Sequence, residues 1–232
     1  MFKQSTLACA LAALVFLFAP ISSMAEPELA RREAIEPAEA RGGAGAFDFY
    51  VLTLSWSPAF CESGEGREYR AQCEPGLGKG FVTHGLWPQY DHGFPSECDG
   101  AASPSRMALA HVAGVYPDEG LARHEWRKHG RCSGKSPTDY FADVRRASES
   151  VTIPALFERP RQAQSFAPLD IQRAFIAANA RLLPGMLAVT CRKGALQDVR
   201  ICFSRDLRAF RPCPEIVRGA CRAGEIAVPA PL

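Results

Sequence analysis

Eight cysteines behind an N-terminal export signal restrict this 232-residue chain more than any other feature. The signal occupies residues 1–25: Lys3 supplies the positive start, residues 7–19 are apolar, and Ser23-Met24-Ala25 places small residues at a cleavage position. A membrane anchor is the alternative reading, but the apolar run is short for a span and Pro20 follows it, so removal after Ala25 is expected. Cys9 leaves with the signal. Cys61, Cys73, Cys98, Cys132, Cys191, Cys202, Cys213 and Cys221 remain, and an even number in an exported chain reads as a disulfide framework. No pair has the C-x₂-C spacing of structural zinc sites, which argues against a metal. Proximity alone suggests Cys61–Cys73 and Cys202–Cys213 as short loops.

With 47% hydrophobic and 22% charged residues the chain can bury one sizeable core, and a formal net charge of +2 identifies no partner. Residues 26–46 are rich in Ala, Glu, Arg, Gly and Pro and are expected to form a flexible leader. One domain is expected over 47–232. Residues 47–56 (FDFYVLTLSW) read as a strand, 62–80 as a surface loop, and 81–83 as a short strand ended by Gly85 and Pro88. Helices are expected at 105–115 (with Ser103 as cap), at 121–129 stopped by Gly130, from Ser136-Pro137 to about residue 150, and at 169–183. Residues 186–192 and 196–204 read as strands joined by Lys193-Gly194. The order implies an α+β domain without repeats, with helices packed on a central antiparallel sheet.

Two segments concentrate the chemistry: residues 81–88 (FVTHGLWP) and 124–132 (HEWRKHGRC). On a helix, at about 100° per residue, His124 stacks on Lys128 and Glu125 on His129, all within an arc of about 140°. Trp126 points elsewhere, toward the core. The zinc-protease pattern His-Glu-x-x-His fails, because the histidines are five apart instead of four. Two imidazoles, an ammonium and a carboxylate suit RNA cleavage instead. A base takes the ribose 2′-hydroxyl proton, cations and polar groups stabilise charge on phosphorus oxygens, and an acid protonates the departing 5′-oxygen. No metal or cofactor is required, because the nucleophile is in the substrate. His84 is the candidate second histidine, whereas His92 reads as a loop residue and His111 as an ordinary helix residue. A solvated helix face with a Glu–Lys pair is the bland alternative for the cluster. Arg123, Arg127, Lys128, Arg131 and Lys135 surround it and are expected to attract RNA.

The strings THGLWP and HEWRKHGRC resemble the two active-site segments of the ribonuclease T2 family. The similarity extends to FDFYVLTLSWSPAFC at the start and VRICFSRDLRAFRPCP near the end, and covers roughly residues 47–221. The resemblance implies an endoribonuclease of single-stranded RNA that works through a 2′,3′-cyclic phosphate. His129 would be its base, His84 its acid, His124 a phosphate ligand, and Glu125 with Lys128 the stabilisers of the transition state. Trp87 matches a base-stacking tryptophan, although a plain core aromatic is an equal reading. Gln89 stands where some relatives carry a base-selecting acid, and Tyr90 is a further stacking candidate. The resemblance also implies disulfides Cys61–Cys73, Cys98–Cys132, Cys191–Cys221 and Cys202–Cys213. The expected protein is a monomer in the periplasm or outside the cell, with no membrane attachment after processing.

Overall fold

Strict alternation drives the first element. In β1 (Phe49–Trp56) the even residues Tyr50, Leu52, Leu54 and Trp56 enter the main core, while Phe49 and Val51 join a small cluster with Cys202 and Cys213 on the other face. Each large apolar side chain removed from water contributes about 1.5–3 kcal/mol, so a one-residue slip of this strand is strongly disfavoured. The computed structural model describes residues 43–64, 69–100 and 103–232. The expected signal peptide and residues 26–42 of the expected leader lie outside the described residues. Within 43–46, Gly45 donates its N–H to the Cys132 carbonyl and accepts from Arg205, so the chain is tied to the fold just ahead of Phe47.

After β1 come α1 (Ser57–Glu62), α2 (Arg70–Cys73), β2 (Phe81–Gln89), α3 (Arg106–Ala110) and α4 (Glu119–Lys128). A 3₁₀ turn (Gly130–Ser133) leads to α5 (Pro137–Glu149), α6 (Ala155–Glu158), β3 (Gln164–Phe166) and α7 (Pro168–Ala178). The chain ends with β4 (Leu187–Arg192), β5 (Ala195–Ser204), α8 (Pro214–Arg218) and β6 (Ile226–Val228). The six strands form one sheet in the order β2-β1-β5-β6-β3, with β4 also on β5. The architecture is α+β. As expected, the sheet is antiparallel in its main pairings; only the short β5–β6 contact runs parallel.

Several boundaries differ from expectation for identifiable reasons. β2 runs through Gly85 and Pro88 because it is an edge strand paired only with β1, where a residue without an N–H is tolerated. The helix expected at 105–115 is one turn and a half, capped by Ser105 instead of Ser103, whose Oγ accepts the Ala108 N–H at 3.2 Å. α7 ends at Ala178 because the Asn179 amide takes the Phe175 carbonyl (2.9 Å) and the Thr152 backbone (2.8 and 2.7 Å). The four disulfides pair as the family resemblance implies. Among the described residues, no helix is long and apolar enough to cross a membrane.

Candidate active site

His84 and Trp87 stand three apart on β2, so an unbroken strand would send them to opposite faces. The pairing with β1 shifts instead: Thr53 faces Gly85 and Leu54 faces Thr83, which leaves His84 as an extra residue in a bulge. The bulge turns His84 to the face that carries Val51, Thr53 and Ser55 on β1 and Trp87 on β2. Its Nδ1 lies 3.0 Å from Ser55 Oγ. Bulges re-aim side chains next to active sites, and this one reverses the strand parity at the position that matters.

α4 supplies the rest. Asp118 caps it by accepting the Leu121 N–H at 2.9 Å. Its apolar side is anchored by Trp126, which packs against Tyr140 and Phe141 of α5, and Tyr140 donates its hydroxyl to the Leu86 carbonyl at 2.9 Å. α4 is thereby held against β2. Glu125 is 1% exposed; its Oε2 accepts the Trp87 indole N–H at 2.7 Å and its Oε1 lies 3.6 Å from His84 Nε2. Gly85 permits this approach. A Cβ there would overlap the Glu125 carboxylate oxygen and the Trp87 indole nitrogen, with Glu125 Cδ at 2.9 Å.

His129 lies one residue beyond the helix, at φ −126° and ψ −42°, although its N–H still reaches the Glu125 carbonyl at 2.9 Å. This corrects the expected helix end at 129 and the simple stacking of Glu125 on His129. Trp87 brings them together: its ring stacks on His129 (5.1 Å, 30°) and meets His84 edge-on at 5.4 Å. Gly130 starts the 3₁₀ turn instead of merely ending the helix, and a Cβ on it would lie 2.5 Å from the Trp126 ring and 2.8 Å from Tyr140. The Cys98–Cys132 disulfide and the Glu97 N–H on the Lys128 carbonyl (2.9 Å) secure this corner.

The other expected site residues are more dispersed. His124 is exposed and lines a cleft of about 620 Å³ together with His84, Ser55, Gln197 and Asp198. Lys128 Nζ points to Glu97 Oε1 at 3.5 Å. Gln89 is buried with its amide donating to the Pro88 carbonyl at 2.8 Å, and Tyr90 packs on the core; neither lines the cleft. The basic cluster is partly neutralised, because Arg123 pairs with Glu119, Lys128 with Glu97 and Lys135 with Asp143. Among the described residues, no group of three or more His, Cys, Asp or Glu is arranged to hold a metal ion.

A sequence model described as the ribonuclease T2 family matches residues 47–213. The chain belongs to the ribonuclease T2 family. It is 43% identical over 134 residues to a ribonuclease of Aeromonas hydrophila, a match spanning 54% of this chain and 60% of that protein. Ribonuclease DdI of Dictyostelium discoideum is 26% identical over 203 residues, 80% of this chain and 86% of its own length. Among solved structures, an RNase-related protein from Calystegia sepium superposes with a TM-score of 0.63 at 22% identity, covering 80% of this chain and 98% of that one. RNase NT in complex with 5′-AMP gives a TM-score of 0.59 at 23% identity, covering 79% and 98%.

Three side chains of this T2-family site escaped the motif reading: Ser55, Asp198 and Arg200. Asp198 and Arg200 stand two apart in β5, opposite Ser55 and Thr53, so both face the site. The signal was a charged pair with period two inside a mostly apolar strand. Arg200 lies 5.5 Å from the Trp87 ring centroid and 3.3 Å from Asp198 Oδ2.

Burial sets the proton chemistry. It pushes the Glu125 carboxyl up to about 8, against the opposing Trp87 hydrogen bond and Lys128 charge. It pushes His129 down to about 3, helped by the charges of His84, Lys128 and His124. His84 and His124 are also lowered, chiefly by burial. The stability signs follow. The lowered histidines bind protons more readily when unfolded, so their contribution is complete above about 6.5 and is lost as pH falls. Glu125, raised from 4.5, contributes fully below about 4.5 and loses that contribution as pH rises toward 8. Calorimetry from pH 3 to 9 is expected to give a maximal Tm near about pH 6. Glu125→Gln should flatten the fall between pH 6.5 and 8; an equally steep fall in that variant would refute the Glu125 assignment.

Proposed function

We propose that this protein is an exported endoribonuclease that cleaves single-stranded RNA by metal-independent acid/base transesterification. The observation that carries the reading is the convergence of two imidazoles, His84 and His129, on one indole whose N–H is pinned to Glu125. His129, kept neutral by burial, takes the ribose 2′-hydroxyl proton. The 2′-oxygen then attacks the adjacent phosphorus, the bond from phosphorus to the 5′-oxygen breaks, and His84 gives that oxygen a proton. The products are a 2′,3′-cyclic phosphate end and a 5′-hydroxyl end. Lys128 and protonated Glu125 supply positive charge and a hydrogen bond to the phosphorus oxygens as charge builds there. His124, on the cleft wall beside His84, holds the phosphate. Membership of the T2 family and the names of its ribonuclease relatives support the activity. Four disulfides support an oxidising compartment, periplasmic or extracellular, and a monomer satisfies the chemistry.

The test is to mix the oxidised protein with single-stranded RNA in excess EDTA and analyse the product ends. Cyclic phosphate ends are expected. Intact RNA would favour a non-catalytic role for this chain; a relative 26% identical over 185 residues bears the name ribonuclease-like storage protein (Panax ginseng). Cleavage restored only by added metal would favour a metallohydrolase.

A further inference from the structure

We infer that Ser55 and Asp198 form a positioning relay that holds His84 as the Nδ1–H tautomer and leaves Nε2 to exchange the proton with the substrate. The inference rests on the acid role proposed above for His84. Its basis is a count of hydrogens. Asp198 is 3% exposed, and its Oδ1 accepts from Ser55 Oγ at 2.7 Å. A hydroxyl has one proton to give. Having given it to Asp198, Ser55 can only accept from the imidazole, so Nδ1, at 3.0 Å, must carry a hydrogen. The remaining nitrogen, Nε2, faces the Glu125 carboxyl at 3.6 Å, toward the centre of the site.

The carboxylate end of the relay is itself fixed. Thr190 Oγ1 accepts the Asp198 backbone N–H at 3.1 Å and lies 3.3 Å from Oδ2, and Arg200 reaches the same oxygen at 3.3 Å. The relay spans three adjacent strands: β2 offers the imidazole, β1 the hydroxyl and β5 the carboxylate. An acid must arrive protonated, yet burial works against charge on His84, and the nearby Arg200 and His124 oppose it further. Asp198 is the neighbour that favours the cation. Glu125 also faces the ring, and His129 sits across Trp87. Asp198 thus orients the imidazole through one intervening hydroxyl, a variation on the direct carboxylate–histidine contact that sets tautomers in other acid/base sites.

The experiment combines long-range ¹H–¹⁵N spectra of the histidine rings with pH–rate profiles on single-stranded RNA. Above the His84 titration the native protein should show the Nδ1–H form, Ser55→Ala the Nε2–H form preferred by a free histidine side chain, and Ser55→Thr the native form again. Ser55→Ala and Asp198→Asn should each lower kcat by roughly tenfold to a hundredfold, the worth of one hydrogen bond to a charged group, with KM changed less. Asp198→Asn should also move the alkaline limb of kcat/KM down by about one pH unit. A merely structural role moves neither the tautomer nor the limb. The inference is overturned if native neutral His84 is the Nε2–H form, or if the limb stays in place in an Asp198→Asn protein that melts like the native one. The spectra require no turnover. Intact RNA with an Nδ1–H tautomer overturns the ribonuclease reading alone; cleaved RNA with an Nε2–H tautomer overturns the relay alone.

Discussion

Replacing His129 with alanine is expected to lower kcat on single-stranded RNA by about a thousandfold, the usual scale for losing a positioned proton acceptor. Burial and three neighbouring positive or protonatable groups push this imidazole down to about 3, so it is neutral and ready to accept through the acidic and neutral range. His84→Ala should cost a similar factor on RNA, because the departing 5′-oxygen is a poor leaving group without a proton. The two variants separate on a ribonucleoside 3′-aryl phosphate, whose phenolate leaves unaided. His84→Ala should recover most of its rate on that substrate, whereas His129→Ala should not. Recovery in His129→Ala instead would exchange the two roles. Activity of the native protein should be bell-shaped in pH, with an acidic optimum. The base loses its lone pair only near the value of about 3, and the acid, also lowered by burial, loses its proton below the ordinary histidine value.

Gly85→Ala should destabilise the protein by about 3 kcal/mol and lower Tm by about 10 °C. The added methyl group would occupy the space of the Glu125 carboxylate oxygen and the Trp87 indole nitrogen. Neither is the free end of a mobile side chain, because the two are bonded to each other at 2.7 Å and Glu125 is 1% exposed. Moving either leaves a buried carboxyl or indole N–H unpaired, at about 1–3 kcal/mol for each such group, in addition to the overpacking. Turnover should fall by more than a hundredfold, since Trp87 also carries His129. Gly224→Ala, where a Cβ would meet nothing within 4 Å, is the matched control and should leave Tm unchanged. Calorimetry of the two variants side by side checks the claim; equal melting temperatures would show that the Glu125–Trp87 contact yields without cost.

Local patterns carried much of the fold. The β4–β5 hairpin was legible because Lys193 and Gly194 form a two-residue turn with positive φ, 51° and 80°, flanked by strand-forming runs. α5 was legible because Ser136 caps it, accepting the Asp139 N–H at 3.2 Å, and Pro137 opens its first turn. α2 falls in a stretch expected to be loop and α1 in one with no expected element, because helices of four and six residues are too short for a periodic signal. β3 and β6 are three residues each, and they exist as strands only because they pair with each other beside β5.

The proposed catalytic set divides along the same line. Residue order supplies the groups: the two motif histidines, Glu125, Lys128 and Trp87, with the cysteines that form four disulfides. Tertiary structure alone decided how they meet. One bulge residue reverses the parity of β2 and brings His84 to the face of Trp87, and Gly85 owes its role to a carboxylate forty residues away in sequence. Asp198, 143 positions from Ser55, enters the site because β5 pairs with β1. Such contacts depend on strand register and on the packing of α4, set by the burial of the whole core, and no window of local sequence encodes them.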